Sequence, residues 1–398
     1  MKRLCIFLML AGCGASARTH VERAVEAHGS LDVLRAITNF HVATEGNFMG
    51  MEYTTVTHGW SPHDWRHDME GDWGKMVLWA LGADGIAYAS MNGRTTLQEG
   101  DRRRGLLGHA RAATAALLPD RLLADNVRLR LAEPEEIGGR MCKGVDVYFG
   151  DGIERVKYFF DPETKRIARM RFTFFDDEAL EWVLARMDVS DYREIEGVWV
   201  AHKSAMKWRN VSFAEQVTEV RFNRNFDESL LATPETVPPP EVSVKQEPAA
   251  RVAVYKFVGP PDQTRTAIGR VMAWISSLGG QPAGPVTMVY RKPTNYADMT
   301  KNEVVIHVPV QLEKAPAGGD MWVGGIKPFQ FAYVTFTGNM MGANSQYGTV
   351  YAWCEKNGYR RSGPRRMRTL KFDEATGTVT AEIGFPVKRA ATGYYPGG

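Results

Sequence analysis

One carboxylate stands out by its neighbours. In Val379-Thr380-Ala381-Glu382-Ile383-Gly384-Phe385, apolar residues alternate with Thr380, Glu382 and Gly384, the period of a strand whose two faces meet different surroundings. The apolar face is expected to pack on helices, which leaves Glu382 on the other. A carboxylate in apolar surroundings is costly unless paired, so it should bind a cation or a donor, or be driven towards protonation. Aromatic walls would add cation–π attraction, roughly 0.5–2 kcal/mol per good contact. Tyr290, six residues after Gly284, is the wall candidate, with Tyr255 and Tyr333 behind it. Two strands end in Pro-Val, Val308-Pro309-Val310 and Phe385-Pro386-Val387; superposing those ends sets Glu382 against Val305, Thr380 against Glu303 and Gly384 against His307. Glu382 then lines a ligand-binding surface or pairs with one of the nearby arginines. As a catalyst it would activate water, with His307 or Glu303 as the polar partner in sight.

A second group is His58, His63, Asp64, His67, Asp68 and Glu70. Imidazole and carboxylate suit zinc, yet Pro62 breaks any regular spacing, and a polar strand–turn–strand surface explains the cluster as well. No metal and no cofactor are expected. Arg102-Arg103-Arg104 reads as a solvated loop. Trp274 and Trp353 fall at the spacing of helix core positions.

The elements that must position these residues are of two kinds. Residues 19–38 read as helix, with Val21, Ala24, Val25, Leu31, Leu34 and Ile37 on one face and a break at Gly29. From about residue 39 the period becomes two, as in Met170, Phe172 and Phe174 or Val220 and Phe222, with turns such as Phe160-Asp161-Pro162-Glu163-Thr164 between strands. A helical stretch over about Leu106–Leu123 interrupts them. Thr233-Pro234 through Pro238-Pro239-Pro240 is a stiff, extended linker.

Beyond the linker the sequence repeats at a displacement of 79 residues: Phe257 with Phe336, Gly259 with Gly338, Ala273-Trp274 with Ala352-Trp353, Gly279 with Gly358, Gly284-Pro285 with Gly363-Pro364. Each copy reads strand, helix, strand, strand. The first helix carries Ile268, Val271, Ile275 and Leu278 and stops at Gly279; the second carries Tyr347, Val350, Tyr351 and Cys354 and stops at Asn357-Gly358.

Three resemblances rest on these residues. Gly259, Gly338, the two Ala-Trp helices, the two Gly-Pro turns and Thr380–Val387 resemble the GyrI-like small-molecule-binding family, also called the AraC effector-binding or SOUL-like domain, over 241–390. That resemblance implies a duplicated βαββ frame with a ligand groove between the copies, and it carries Glu382 over. Where the family often has tyrosine, six residues after the second Gly-Pro, this chain has Thr369, which weakens a hydrolase reading. His28-Gly29-Ser30-Leu31, Tyr158–Thr164, Tyr192 with Gly197-Val198-Trp199-Val200, and Phe222-Asn223 with Asp227, Leu230 and Pro234 resemble the outer-membrane lipoprotein-sorting, LolA-like family over 18–232. This implies an open antiparallel β half-barrel, lidded by helices, around an apolar cavity. At the start, Lys2-Arg3, the apolar Leu4–Ala11 and Leu10-Ala11-Gly12-Cys13 resemble a lipoprotein signal and lipobox within 1–17, with Cys13 as the lipidated residue; Ala15-Ser16-Ala17 is a rival cleavage site that would release a soluble periplasmic protein. Gly14, where the sorting rule for the inner membrane would want Asp, favours the outer membrane. Residues 391–398 form a tail.

The fold class expected is therefore α+β: the half-barrel, the 233–240 linker, then the duplicated domain. With 44% hydrophobic residues in 398, wholesale disorder is excluded, and four cysteines rule out a disulfide scaffold. The net charge of +3 hides a split: 1–241 holds 30 basic and 36 acidic residues, a balance of −6, and 242–398 holds 19 and 10, or +9. No helix-turn-helix pattern accompanies the second half, and an exported protein does not meet DNA, so no nucleic-acid partner is expected. The function expected is an exported, lipid-anchored protein of the cell envelope that binds a hydrophobic small molecule or lipid, with cationic aromatic ligands included through Glu382. The alternatives are a hydrolase using Glu382 and an envelope assembly protein.

Overall fold

A computed structural model describes residues 15–390 except 49, 61–63, 73, 83–84, 151–154, 177, 210, 296–297, 313–318, 339, 374 and 376–377. Cys13 and the rest of the signal and lipobox lie outside the described residues, as do His63 and the tail from 391.

The chain opens with α1 (Ala17–His28), capped by the Ser16 hydroxyl, which accepts from the Thr19 amide. Gly29, at a φ of 146°, ends it, and α2 (Leu31–Arg35) follows. Six strands come next: β1 (Asn39–Phe48), β2 (Met51–Trp60), β3 (Asp64–Gly71), β4 (Gly74–Leu81), β5 (Ile86–Met91) and β6 (Arg94–Leu97). Then α3 (Gly100–Leu117) runs into a 3-10 turn at Pro119–Leu123. The helix starts six residues before the sequence pattern suggests, so Arg102, Arg103 and Arg104 sit in its first turns and not in a loop; Arg104 pairs with Asp101.

Seven further strands complete the sheet: β7 (Arg128–Ile137), β8 (Arg140–Tyr148), β9 (Val156–Phe160), β10 (Ile167–Asp176), β11 (Glu181–Ile195), β12 (Val198–Trp208) and β13 (Val211–Phe222). All neighbours are antiparallel, in the order β6-β5-β4-β3-β2-β1-β13-β12-β11-β10-β9-β8-β7. β6 and β7 therefore lie at opposite edges and the barrel does not close. Helix α3 spans that opening, packing on β4, β5 and β10. Its small residues Gly105, Ala110, Ala112 and Ala115 let it lie close to the sheet.

The second sheet holds β14 (Ser243–Glu247), β15 (Ala250–Val258), α4 (Thr264–Ser277), β16 (Thr287–Tyr290), β17 (Glu303–Pro309), β18 (Met321–Ile326), β19 (Phe329–Gly338), α5 (Met340–Lys356), β20 (Tyr359–Arg361), β21 (Arg365–Asp373) and β22 (Thr378–Arg389). Its order is β14-β19-β22-β21-β16-β17-β15-β18, with β20 on β22. The helices cover one face: Val271, Ile275, Tyr347 and Val350 pack on Ala253, Ile306, Ala381, Ile383 and Phe385. The strand parity read from 379–385 is the one observed. Phe175 and Leu180, at the β10–β11 turn of the first sheet, belong to this same core. The 233–240 segment carries no helix or strand, and it is docked: the Val237 amide donates to the Thr95 carbonyl at 2.9 Å. Among the described residues no helix is long and apolar enough to cross a membrane.

Candidate functional site

Alternation sends one side of every strand in the first sheet inward. The inward residues enclose a cavity of about 840 Å³, walled by Trp65, Met170, Phe174, Met187, Met206 and Trp208 and roofed by Leu106, His109 and Ala113 of α3. Its far end is bordered by Phe336 and Gly338 of β19, by Gly342 and Gln346 of α5, and by Pro240. The volume sits within the roughly 300–1,000 Å³ typical of small-molecule sites. Methionines suit such a wall because their unbranched chains adapt to a ligand's shape.

Few polar groups interrupt it. The His67 Nδ1 pairs with the Thr57 hydroxyl at 2.8 Å, and the Trp65 ring stacks on His67, centroids 5.3 Å apart, while meeting His109 edge-on at 5.7 Å. Burial pushes both imidazoles down to about 4, and for His67 the neighbouring His109 adds to the effect. Both are neutral at pH 7, each able to donate once and accept once. Elsewhere in the wall Glu215 accepts from the Tyr53 hydroxyl and from Ser204 Oγ, each at 3.1 Å. Burial raises the carboxyl of Glu215 and the phenol of Tyr53.

Glu215, Ser204 and Val189 also border a second hollow of about 1110 Å³, lined by charged groups including Arg140, Asp161, Arg169, Asp188 and Lys203. An apolar chamber thus meets a charged one at a single carboxyl, an arrangement that accommodates an amphiphile. His109, Glu215 and Tyr53 escaped the sequence reading. Two signals were there: His109 shares a helix face with Leu106 and Ala113, and Glu215 interrupts the inward face between Phe213 and Val217.

The His58–Glu70 cluster is divided by the sheet. His67 faces the cavity, whereas His58 stands beside Arg66 on the outer face and bonds His41 at 3.0 Å. Asp68 holds Arg66 at 2.8 Å, and Asp64 accepts from the Gly82 amide at 3.0 Å. Among the described residues no group of three or more metal-ligating side chains is placed to hold an ion.

On the second sheet, Glu382 does face away from the helices. Its carboxylate is held by Lys245 Nζ at 2.6 Å and Arg368 Nη1 at 3.2 Å, and Arg368 in turn binds Glu247 at 2.7 Å. Lys245 and Glu247 come from β14, the edge strand that follows the linker. Tyr333 joins this group, its ring 4.4 Å below Lys245 Nζ and stacked on Phe331 at 5.4 Å. His307 lies on the same face but three strands away, since Glu382 pairs with Arg368, Arg368 with Thr287 and Thr287 with His307. At about 4.8 Å per strand that is roughly 14 Å, too far for the two to share a proton. Burial, with Arg366 and Arg291 adding, lowers the His307 imidazole to about 4. Glu303 is taken by Lys256 at 2.9 Å.

Tyr290 and Tyr255 are on the opposite, helix-covered face, so neither is a wall for Glu382. Parity decides this: Val289 shares the face of Arg366, which puts Tyr290 with Arg365 on the other side. The Tyr255 hydroxyl accepts from Arg270 at 2.8 Å.

Residues 240–388 match the family model for the GyrI-like small molecule binding domain. This segment is a GyrI-like domain. Glu382 and Tyr333 lie on the open face of the GyrI-like domain, and its helix α5 closes the cavity of the first sheet. No curated protein matches the chain. Among solved structures it is similar to the EcmrR C-terminal domain, 17% identical over 38% of this chain and 99% of that one, with a TM-score of 0.34. The other half is similar to a putative outer membrane lipoprotein-sorting protein domain from Vibrio parahaemolyticus, 12% identical over 54% of this chain and 97% of that one, TM-score 0.37. It is likewise similar to a LolA superfamily protein from Nitrosomonas europaea, 10% identical over 55% and 99%, TM-score 0.38.

Proposed function

We propose that this protein binds a lipid or a similar amphiphile, its apolar body in the cavity of about 840 Å³ and its polar end at Glu215, facing the charged hollow beyond. The observation that carries the reading is the junction of those two chambers at one buried carboxyl. Neutral His67 and His109 add hydrogen-bonding positions without placing a charge against an apolar chain. The GyrI-like domain closes the chamber and supplies a second candidate surface, Glu382 with Tyr333, for a cationic or aromatic group once Lys245 moves aside.

The chain is read as two units joined at 233–240, with the second built on a duplicated βαββ frame. The sequence repeat and the strand order β19-β22-β21 beside β16-β17-β15 support that duplication. The protein is further read as exported to the cell envelope and anchored through Cys13. Radiolabelled palmitate should enter the wild type and not Cys13→Ala; equal labelling of both would overturn the anchor.

Native mass spectrometry of the chain from residue 14 onward, with and without added phospholipids and fatty acids, tests the ligand reading. The wild type should carry stoichiometric lipid, and Ala113→Trp, which fills the chamber from α3, should lose it. Retention of the same lipid by Ala113→Trp, or no lipid on the wild type, would sink the proposal.

A further inference from the structure

The turn between β10 and β11 reaches out of the first sheet into the GyrI-like domain. Asp176 shapes it by accepting from the Glu178 and Ala179 amides, both at 2.9 Å, and Leu180 holds a φ of 57°, a conformation a leucine seldom adopts. What the turn delivers is a carboxylate beside apolar groups. Glu178 Oε1 accepts from the Thr294 amide at 2.9 Å and from the Thr294 hydroxyl, and it lies 3.7 Å from Arg365 Nη2. Phe175 meets Tyr351 at 5.5 Å, and Leu180 is buried in the GyrI-like core.

The receiving groups are built like a binding site. The Arg365 side chain is 5% exposed, and its guanidinium lies over the rings of Tyr347 and Tyr290, at 5.2 and 5.8 Å. The Tyr347 hydroxyl is fully buried and has no hydrogen-bond partner among the described residues. Burial raises both phenols, Tyr290 to about 12, so each remains a neutral donor. The present occupant satisfies only part of the site. Glu178 takes both bonds from Thr294, but a close guanidinium–carboxylate pair has N···O of about 2.7–2.9 Å and is often two-pronged, whereas Arg365 Nη2 lies 3.7 Å from Glu178 and donates to the Lys292 carbonyl at 3.0 Å, and the Tyr347 hydroxyl is unserved among the described residues.

We propose that Arg365, Thr294, Tyr290 and Tyr347 form a carboxylate-binding site in the GyrI-like domain, that Glu178 occupies it as an internal stand-in, and that an apolar monocarboxylate competes for it. A free carboxylate can approach Arg365 with both oxygens and accept from the Tyr347 hydroxyl, while its hydrocarbon takes the place of Leu180. The buried guanidinium selects against a cation. Phe175, next to this turn, lines the cavity of the first sheet as well as the GyrI-like core. The site stands apart from the lipid reading of that chamber.

Hydrogen–deuterium exchange on the full chain, with decanoate and with decyltrimethylammonium as the cation of equal length, tests this. Decanoate should speed exchange at the 178–180 amides, and the ammonium should not. By calorimetry, Glu178→Gln should bind decanoate about tenfold tighter, since a neutral amide competes less for Arg365, and Tyr347→Phe should weaken it several-fold. Unchanged exchange at 178–180, an affinity in Glu178→Gln within about twofold of wild type, or an equal response to the ammonium would each overturn the proposal. Ala113→Trp keeps the two readings distinguishable: it should empty the chamber and leave the response at 178–180 intact.

Discussion

His67 and His109 are two imidazoles with every reason to stay neutral. Their folded values of about 4 lie below the ordinary 6.5, so the unfolded chain takes up protons first as the pH falls. Stability is fully present above 6.5 and drains away between 6.5 and about 4, by roughly 1.4 kcal/mol per pH unit for each histidine across that window. His109→Gln should therefore lose less stability than wild type when urea midpoints are compared at pH 7 and pH 5; an equal loss would show that His109 protonates freely in the fold. Glu382 teaches the converse lesson. Its face was legible from the alternation of 379–385, because a strand has only two sides. Its distant partner was not: Lys245 lies more than a hundred residues away in sequence and arrives, with the Glu247 that shares Arg368, on an edge strand that alternation alone does not pair.

Among elements, α3 and β22 carry the clearest consequences. The start of helix α3 at Gly100 was not legible because its first turns carry Arg102, Arg103 and Arg104, with Arg104 over the Trp182 ring, and the apolar stripe that marks a helix begins only at Leu106. Helix stops were readable, since Gly279 and Gly358 both take a φ of 70°, where a side chain is strained. Gly384 has a different task. A Cβ there would land on the Ala332 carbonyl oxygen of β19, across a strand pair that cannot spread without breaking its ladder. Gly384→Ala is expected to cost about 1–3 kcal/mol in chemical denaturation. Gly325→Ala, which meets nothing within 4 Å, should stay within about 0.5 kcal/mol of wild type.

At the scale of the molecule, the two sheets share hydrophobic residues. Phe175 and Leu180 leave one sheet and complete the core of the other, and Phe175 also lines the chamber. Phe175→Ala should cost about 3–5 kcal/mol and split a single calorimetric unfolding transition into two; one unshifted transition would show that the sheets are not coupled through this ring. The opposite balances of −6 and +9 meet there too, in Glu178 on Arg365 and in Glu99 beside Lys356 at 3.8 Å. The exposed pair of these contributes little and is screened by salt, so the apolar contact is the stronger tie.

Local periodicity by itself determined most strand and helix types, the glycine helix stops and the face of Glu382, and the family resemblance marked the GyrI-like segment, because each depends on residues within a few positions of one another or on a repeat that is visible in line. Only the tertiary structure decided which side chains meet. It split His58 from His67 across a sheet, sent Tyr290 and Tyr255 to the helix side, gathered His67, His109 and Glu215 from three elements around one chamber, and set Glu178 against Arg365. These are encounters between faces distant in the chain, fixed by strand register and by the packing of one sheet on the other, and no local pattern encodes them.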